Sequence, residues 1–201
     1  MLGRLLMEEI RETKDEIRNR IAKTLAALPV SKIEEKIARI ENRLFEFANF
    51  LEANIVLLYI NSTSEVNTLK IIERCFNYNK IVILPAFDTR KHEMILMKVD
   101  NLNTDLTLGP RGILEPDPSH CNVVPIECID IAIIPGVAFD EKGGRIGSGD
   151  GYYDRFIPKL SITTRKVALT FENQIISQIQ MESHDKYVDI IITEERIIYK
   201  I

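Results

Sequence analysis

Residues 129–137, IDIAIIPGV, decide the fold. Apart from Asp130 the run is apolar through Ile134, rich in β-branched residues, and stopped by Pro135-Gly136. A short continuous run of this kind suits a strand covered on both faces. NIVLLYI at 54–60, KIVILPAF at 80–87 and VDIIIT at 188–193 have the same character. Between the first two lies NTLKIIERCFNYN (67–79), which reads as a crossover helix, and RFIPKL (155–160), KVALTF (166–171) and ENQIISQI (172–179) continue the alternation of helix and strand. The expected architecture is an open, mostly parallel α/β sheet flanked by helices.

Upstream the period changes. Leu5, Ile10, Ile17, Ile21 and Leu25 recur at roughly helical spacing and predict a first helix over residues 4–28, ended near Pro29. A second, longer helix is expected over residues 31–54, where Ile33, Ile37, Ile40, Leu44, Phe47 and Leu51 share a face and Ser31 with Glu34 has the form of a capping box. Residues 91–120 carry two short alternating segments and then a loop rich in Gly and Pro. They read as an excursion over the sheet edge that can cover a ligand.

The 201 residues are 45% hydrophobic and 28% charged, the composition of a folded chain, and residues 1–201 are expected to form one domain. A net charge of -4 argues against nucleic acid and anionic lipid as partners. Cys75, Cys121 and Cys128 make no CxxC pair, which argues against a zinc site or a disulfide scaffold and fits a reducing cytoplasm. No secretory signal and no bilayer-length apolar run is evident.

PGVAFDEKGGRIGSGDGYYDRF (135–156) holds six of the nine glycines and begins where the 129–137 strand ends. In open α/β sheets ligands sit beyond the carboxyl ends of strands. Gly147, Gly149 and Gly151 let several backbone N–H groups converge on one anion, and a helix opening at Tyr152 adds to that field, so a phosphate cradle is the natural reading. A surface loop without a ligand is the alternative. Neither the Walker A pattern nor the dinucleotide fingerprint fits the spacing. Asp154 at the start of the helix suits a carboxylate bridged to phosphate by Mg²⁺, or one placed there by the helix dipole.

The same stretch strongly resembles the signature of the 5-formyltetrahydrofolate cyclo-ligase (5,10-methenyltetrahydrofolate synthetase) family. LLYINSTSEVNTLKII (57–72), KIVILPAF, LGPRGILEPDP (108–118) and MESHDKYVDIIITE (181–194) are similar to further segments of it, so the resemblance runs from about residue 14 to 194. It implies a three-layer α/β fold of the CoA-transferase and ribose-phosphate isomerase type with an N-terminal helical arm. It also implies ATP- and Mg²⁺-dependent closure of 5-formyltetrahydrofolate to 5,10-methenyltetrahydrofolate, in a cytoplasmic monomer or weak dimer acting on small molecules. The alternative is a folate- or nucleotide-binding protein of the same fold without turnover.

By that resemblance Lys14 and Arg18, one helical turn apart, reach ATP phosphates. Arg145, Ile146, Gly147, Ser148, Gly149, Asp150, Gly151, Tyr152 and Tyr153 form the nucleotide loop, with residues 148–152 also touching the folate. Arg145 is expected on phosphate, and Arg145, Tyr152 and Asp154 are the implied catalytic residues. Tyr152 and Tyr153 are expected either against a planar ring or in the core. Glu65, or Asn67 if the local alignment slides by two, faces the pterin, while Asp154 and Asp185 are the implied metal ligands and His184 is read as a surface residue. Ser148 and Asp150 depart from the pattern of many relatives, and Asp150 is expected to point to solvent from its glycine-bracketed turn, the alternatives being a place beside the phosphates or an additional contact to Mg²⁺.

Overall fold

The computed structural model describes residues 12–200. Helix α1 (Lys14–Ala26) is followed by α2 (Val30–Glu46), α3 (Ala48–Glu52) and strand β1 (Ile55–Leu57). Helix α4 (Leu69–Asn77) leads to β2 (Ile81–Asp88), which turns back into β3 (Glu93–Val99). A small hairpin, β4 (Leu106–Leu108) and β5 (Leu114–Pro116), precedes β6 (Ile131–Ile133). Then come β7 (Ala138–Asp140), β8 (Arg145–Ile146), α5 (Tyr152–Phe156), β9 (Arg165–Leu169), β10 (Ile175–Ile176), β11 (Ile190–Ile192) and β12 (Ile197–Tyr199).

Seven strands form the main sheet in the order β12-β11-β9-β6-β1-β2-β3. The five inner strands are parallel, and β3 and β12 close the edges antiparallel. Val56, Ile131, Ile133, Val167 and Ile192 enter one buried cluster with α1, α2 and α4, while Leu57, Ala132, Ile134, Ala168 and Ile191 enter a second with Tyr153, Phe156 and Ile157. Burial on both faces is why these strands are apolar without a break. The expected mostly parallel sheet flanked by helices is the one observed.

The chain leaves β1 towards β2 on one side, then returns to place β6 on the other side of β1. The carboxyl ends of β1 and β6 therefore frame the switch point of the sheet, the crevice in which open α/β folds bind ligands. Segment 58–66 follows β1, and the glycine-rich stretch follows β6.

The helical arm differs from expectation in three respects. Leu5 and Ile10 of the predicted first helix lie outside the described residues, and the helix starts at Lys14 behind a capping box made by Thr13 and Glu16. Ser31 and Glu34 form no such box: Pro29 is the N-cap, so Ser31 already lies in the first turn of α2. The predicted long second helix breaks at Phe47, whose backbone is extended (φ -76°, ψ 116°), and its side chain is buried beside the Tyr199 ring. Ile17, Ile21 and Leu25 dock α1 on the sheet. At about 2 kcal/mol per buried side chain they hold the arm firmly enough to position polar residues on its other face.

Residues 172–179, expected to continue the helix and strand alternation, form a 3₁₀ turn and the two-residue strand β10. Gln174 explains the change. Its buried amide accepts from Thr170 Oγ1 and the Phe171 N–H, both at 2.9 Å, and donates to the Ser64 and Val137 carbonyls at 2.9 and 2.8 Å. One side chain thus ties together the loops that follow β1 and β6.

Candidate active site

Two adjoining cavities occupy the switch point. A cleft of about 200 Å³ is lined by Lys14 and Arg18 of α1, residues 145–154, Arg111, Glu182, His184 and Asp185. A smaller cavity of about 30 Å³ lies between Tyr59, Ser62 and Glu65 after β1, Phe87 of β2, and Ile113 and Leu114 of the hairpin. Arg111, Pro135 and Tyr153 border both.

The cleft is built around the glycine loop. Among the described residues, the backbone N–H groups of residues 147–151 donate to no other protein group, the condition of a loop that can receive an anion. Gly149 has φ +122° with open space where a Cβ would stand, so glycine is needed for the backbone path and the room is left empty. Gly143 has a different reason: at φ +83° a Cβ would meet the Val188 carbonyl at 2.3 Å. Asp140, buried in the preceding turn, accepts from the Lys142, Gly144 and Ile179 N–H groups at 2.8 to 3.0 Å, which fixes the hairpin from which the loop departs.

Arg145, expected on phosphate, is a buried cation beneath the cleft. Its Nη1 donates to the Pro135 carbonyl at 3.1 Å and its Nη2 to Asp154 Oδ1 at 2.7 Å, while its Nε is buried with no partner among the described residues. A carboxylate and a carbonyl engage two of its five N–H donors, and Nε is the nitrogen left with no partner among the described residues. Asp154 also accepts from the Lys186 N–H, at 3.2 Å through the same oxygen, which leaves Oδ2 without a protein donor among the described residues.

The α1 residues reach the cleft as expected, with partners. Lys14 Nζ lies 2.6 Å from Asp185 Oδ2 and 3.0 Å from Glu182 Oε1, and Arg18 donates to the Gly147 carbonyl at 2.8 Å and to Asp15 at 2.5 Å. Burial works against the Lys14 charge, but the two carboxylates outweigh it and hold the ammonium above its ordinary range. Burial likewise pushes Asp185 up, and the Glu182 N–H together with Lys14 overcome it, so its carboxyl sits below its ordinary value of 3.8. A depressed acid of this kind stabilises the fold fully above pH 3.8 and loses that contribution as the pH falls through the lowered value. Lys14→Ala should therefore move the acid-unfolding midpoint to higher pH, which a fluorescence or circular dichroism titration reads directly; an unmoved midpoint would show that the pair does not couple the arm to the body. His184 is exposed, beside Glu182 and Asp185.

The two tyrosines pack and line cavities at once. Tyr152 stands edge-on to Phe87 at 4.9 Å, with the Arg111 and Arg155 guanidinium carbons 5.1 and 5.3 Å from its ring centre. Tyr153 is buried against Phe156, and its hydroxyl has no partner among the described residues although it borders both cavities. A buried phenol without a partner is costly unless something arrives to satisfy it.

Of the two candidates after β1, Glu65 lines the small cavity and Asn67 does not. Asn67 is exposed and accepts from the Leu69 N–H at 3.0 Å, tightening the entry to α4. Glu65 accepts from the Ser62 N–H at 2.7 Å. Burial pushes its carboxyl up, against the opposing pull of Ser62, Arg111 and Arg145.

Asp150 also departs from expectation: its carboxylate does not simply face solvent but meets Arg111 Nη2 at 2.8 Å. Arg111, at the tip of the β4–β5 hairpin, is absent from the residues the sequence pointed to, although its segment was recognised as one that can cover a ligand. Its guanidinium also lies 4.3 Å from the Phe87 ring centre.

Fold and site together define an α/β protein of the open parallel-sheet class, with an anion-receiving loop at the carboxyl edge and a half-buried carboxylate beside it. The model of the 5-formyltetrahydrofolate cyclo-ligase family matches residues 10–194, and the chain belongs to that family. A probable 5-formyltetrahydrofolate cyclo-ligase of Schizosaccharomyces pombe is 30% identical over 201 residues, covering 94% of this chain and 98% of the relative. The solved structure of Aquifex aeolicus 5,10-methenyltetrahydrofolate synthetase superposes with a TM-score of 0.81 at 27% identity, covering 93% of this chain and 92% of that one. A synthetase structure from Mycoplasma pneumoniae shares the fold, with a TM-score of 0.72 at 20% identity over 90% of this chain and 98% of that one. Family membership supports cyclo-ligase activity, in line with the resemblance of residues 135–156.

Proposed function

We propose that the chain closes 5-formyltetrahydrofolate to 5,10-methenyltetrahydrofolate in an ATP- and Mg²⁺-dependent reaction that releases ADP and phosphate. The formyl oxygen is a poor leaving group. It attacks the γ-phosphorus, the bond to ADP breaks, and the formamide becomes an N5 iminium carrying O-phosphate. N10 then adds to the activated carbon, the C–O bond to phosphate breaks, and the N10 proton leaves with the phosphate. No protein nucleophile is needed; the protein positions two substrates and neutralises charge.

The observation that carries this reading is the junction of the two cavities. The larger offers undonated loop N–H groups with Lys14 and Arg18, as triphosphate binding requires, and the smaller offers Glu65, a carboxylate suited to the amino and ring N–H groups of a pterin. The Arg145 Nε beside the larger cavity and the Tyr153 hydroxyl at the border of both are buried without a partner among the described residues, suited to the formyl and phosphoryl oxygens. Asp154 and Asp185 suit Mg²⁺ by their chemistry: both supply hard carboxylate oxygens at the cleft, and each keeps one oxygen that takes no backbone or Lys/Arg donor among the described residues. The ion, when bound there, neutralises phosphate charge. Because the site draws on both α1 and the 182–185 segment, the chain is read as one domain, 1–201. No described helix is long and apolar enough to cross a membrane, and with three unpaired cysteines a cytoplasmic setting is the reading we favour.

The test is turnover of 5-formyltetrahydrofolate followed by the absorbance of the methenyl product. Product should appear only with ATP present and should fall sharply when Mg²⁺ is chelated. Tight binding of both ligands without product would support the non-catalytic binding protein instead.

A further inference from the structure

We propose that Arg111 is a catalytic residue: its guanidinium receives the phosphoryl group as it passes from the nucleotide to the formyl oxygen. The inference rests on the reaction proposed above. It starts from position, since Arg111, Pro135 and Tyr153 are the residues that border both cavities, and of these Arg111 alone carries charge. The β4–β5 hairpin brings it over the switch point, and the faces of Phe87 and Tyr152 hold the guanidinium at 4.3 and 5.1 Å. Its side chain is only 18% exposed, whereas that of its partner Asp150 is 54% exposed.

That asymmetry is informative. An ion pair with one arm in water adds little to stability, so the contact with Asp150 is a poor reason to press an arginine into a cavity junction. An arginine fork matches carboxylate and phosphate alike, and here the Asp150 carboxylate has the place a phosphoryl oxygen pair can take. Asp150 follows Gly149 at positive φ and precedes Gly151 at φ +67°, on a loop with glycine hinges on both sides. In the transfer, the formyl oxygen bonds to the γ-phosphorus as the bond to the ADP oxygen breaks, and charge on the equatorial oxygens is met by the Arg111 N–H donors. The same fork then faces the phosphate that departs with the N10 proton.

The experiment is rapid-quench single turnover at saturating ATP and folate, measuring ADP formed, with Arg111→Gln and Arg111→Lys checked for native circular dichroism. Arg111→Gln should slow ADP formation about 30-fold with little change in KM for either substrate. Arg111→Lys, a point charge without the fork, should recover only part of the loss. A rise in KM with an unchanged transfer rate would make the pair with Asp150 a structural clasp and overturn the proposal. If Arg111→Gln does not fold, Arg111→Lys at the full parental rate overturns it. Normal parental turnover with any of these contrary results defeats this inference alone; no ADP from the parent defeats the functional reading and this one with it.

Discussion

Replacing Arg145 with Met is expected to lower turnover by about 10²–10³-fold, the loss seen when a single preorganised donor is removed from developing negative charge. The same change should cost stability. Arg145 is 3% exposed and pairs at 2.7 Å with Asp154, itself partly buried, so its removal leaves a carboxylate without its cation. Breaking such a pair costs about 3 kcal/mol. Arg145→Lys should restore part of the stability and little of the rate, because a single ammonium nitrogen lacks the planar fork that reaches the Pro135 carbonyl, Asp154 and an incoming oxygen from three separate nitrogens. Denaturant midpoints and steady-state rates separate the two effects. An Arg145→Met protein of parental stability and rate would mean that the buried guanidinium is neither a pillar of the loop nor part of the chemistry.

Glu65→Gln is expected to act on the two properties in opposite directions. Exchanging a charged acceptor for a neutral one against pterin N–H groups removes about 1.5–3 kcal/mol of binding, so kcat/KM should drop by about a hundredfold. Stability near neutral pH should rise. Burial raises the Glu65 carboxyl above its ordinary value of 4.5, so the native state holds the proton more tightly than the unfolded chain does. The parent therefore gains stability as the pH falls through the raised value towards 4.5, and bears a penalty above it that glutamine lacks. The amide oxygen can still accept from the Ser62 N–H. Parallel urea titrations at two pH values test the sign, and a destabilised Glu65→Gln at neutral pH would contradict the burial argument.

The sheet was readable because the inner strands are buried on both faces, which writes itself as apolar runs at 55–60, 81–87, 131–134 and 190–192. The glycine loop was readable because its position follows from the end of such a run. What escaped depends on contacts made far along the chain. The Phe47 break is invisible to periodicity, since the apolar face of α2 continues across it and only docking beside Tyr199 requires the kink. Gln174 reads as one polar residue among several until the fold sets it between Ser64 and Val137. Arg111 meets Asp150 across 39 positions, and only the hairpin's path over the sheet brings it there. Glu65 and Asn67 lie only two positions apart, and the sequence does not show that Glu65 lines the cavity while Asn67 turns to the Leu69 N–H at the start of α4. The motif puts Arg145 in the loop, but a sequence does not reveal that the Pro135 carbonyl and Asp154 engage it beneath the cleft.

The central claim is that the formyl oxygen is phosphorylated at the junction of the two cavities and leaves as part of the phosphate. It is tested most directly by following 5-formyltetrahydrofolate labelled with ¹⁸O in the formyl group through a single turnover and measuring the released phosphate by mass. The account predicts one ¹⁸O atom in each phosphate formed, with methenyl product appearing in equal amount. Unlabelled phosphate, with the ¹⁸O found in water, would contradict it.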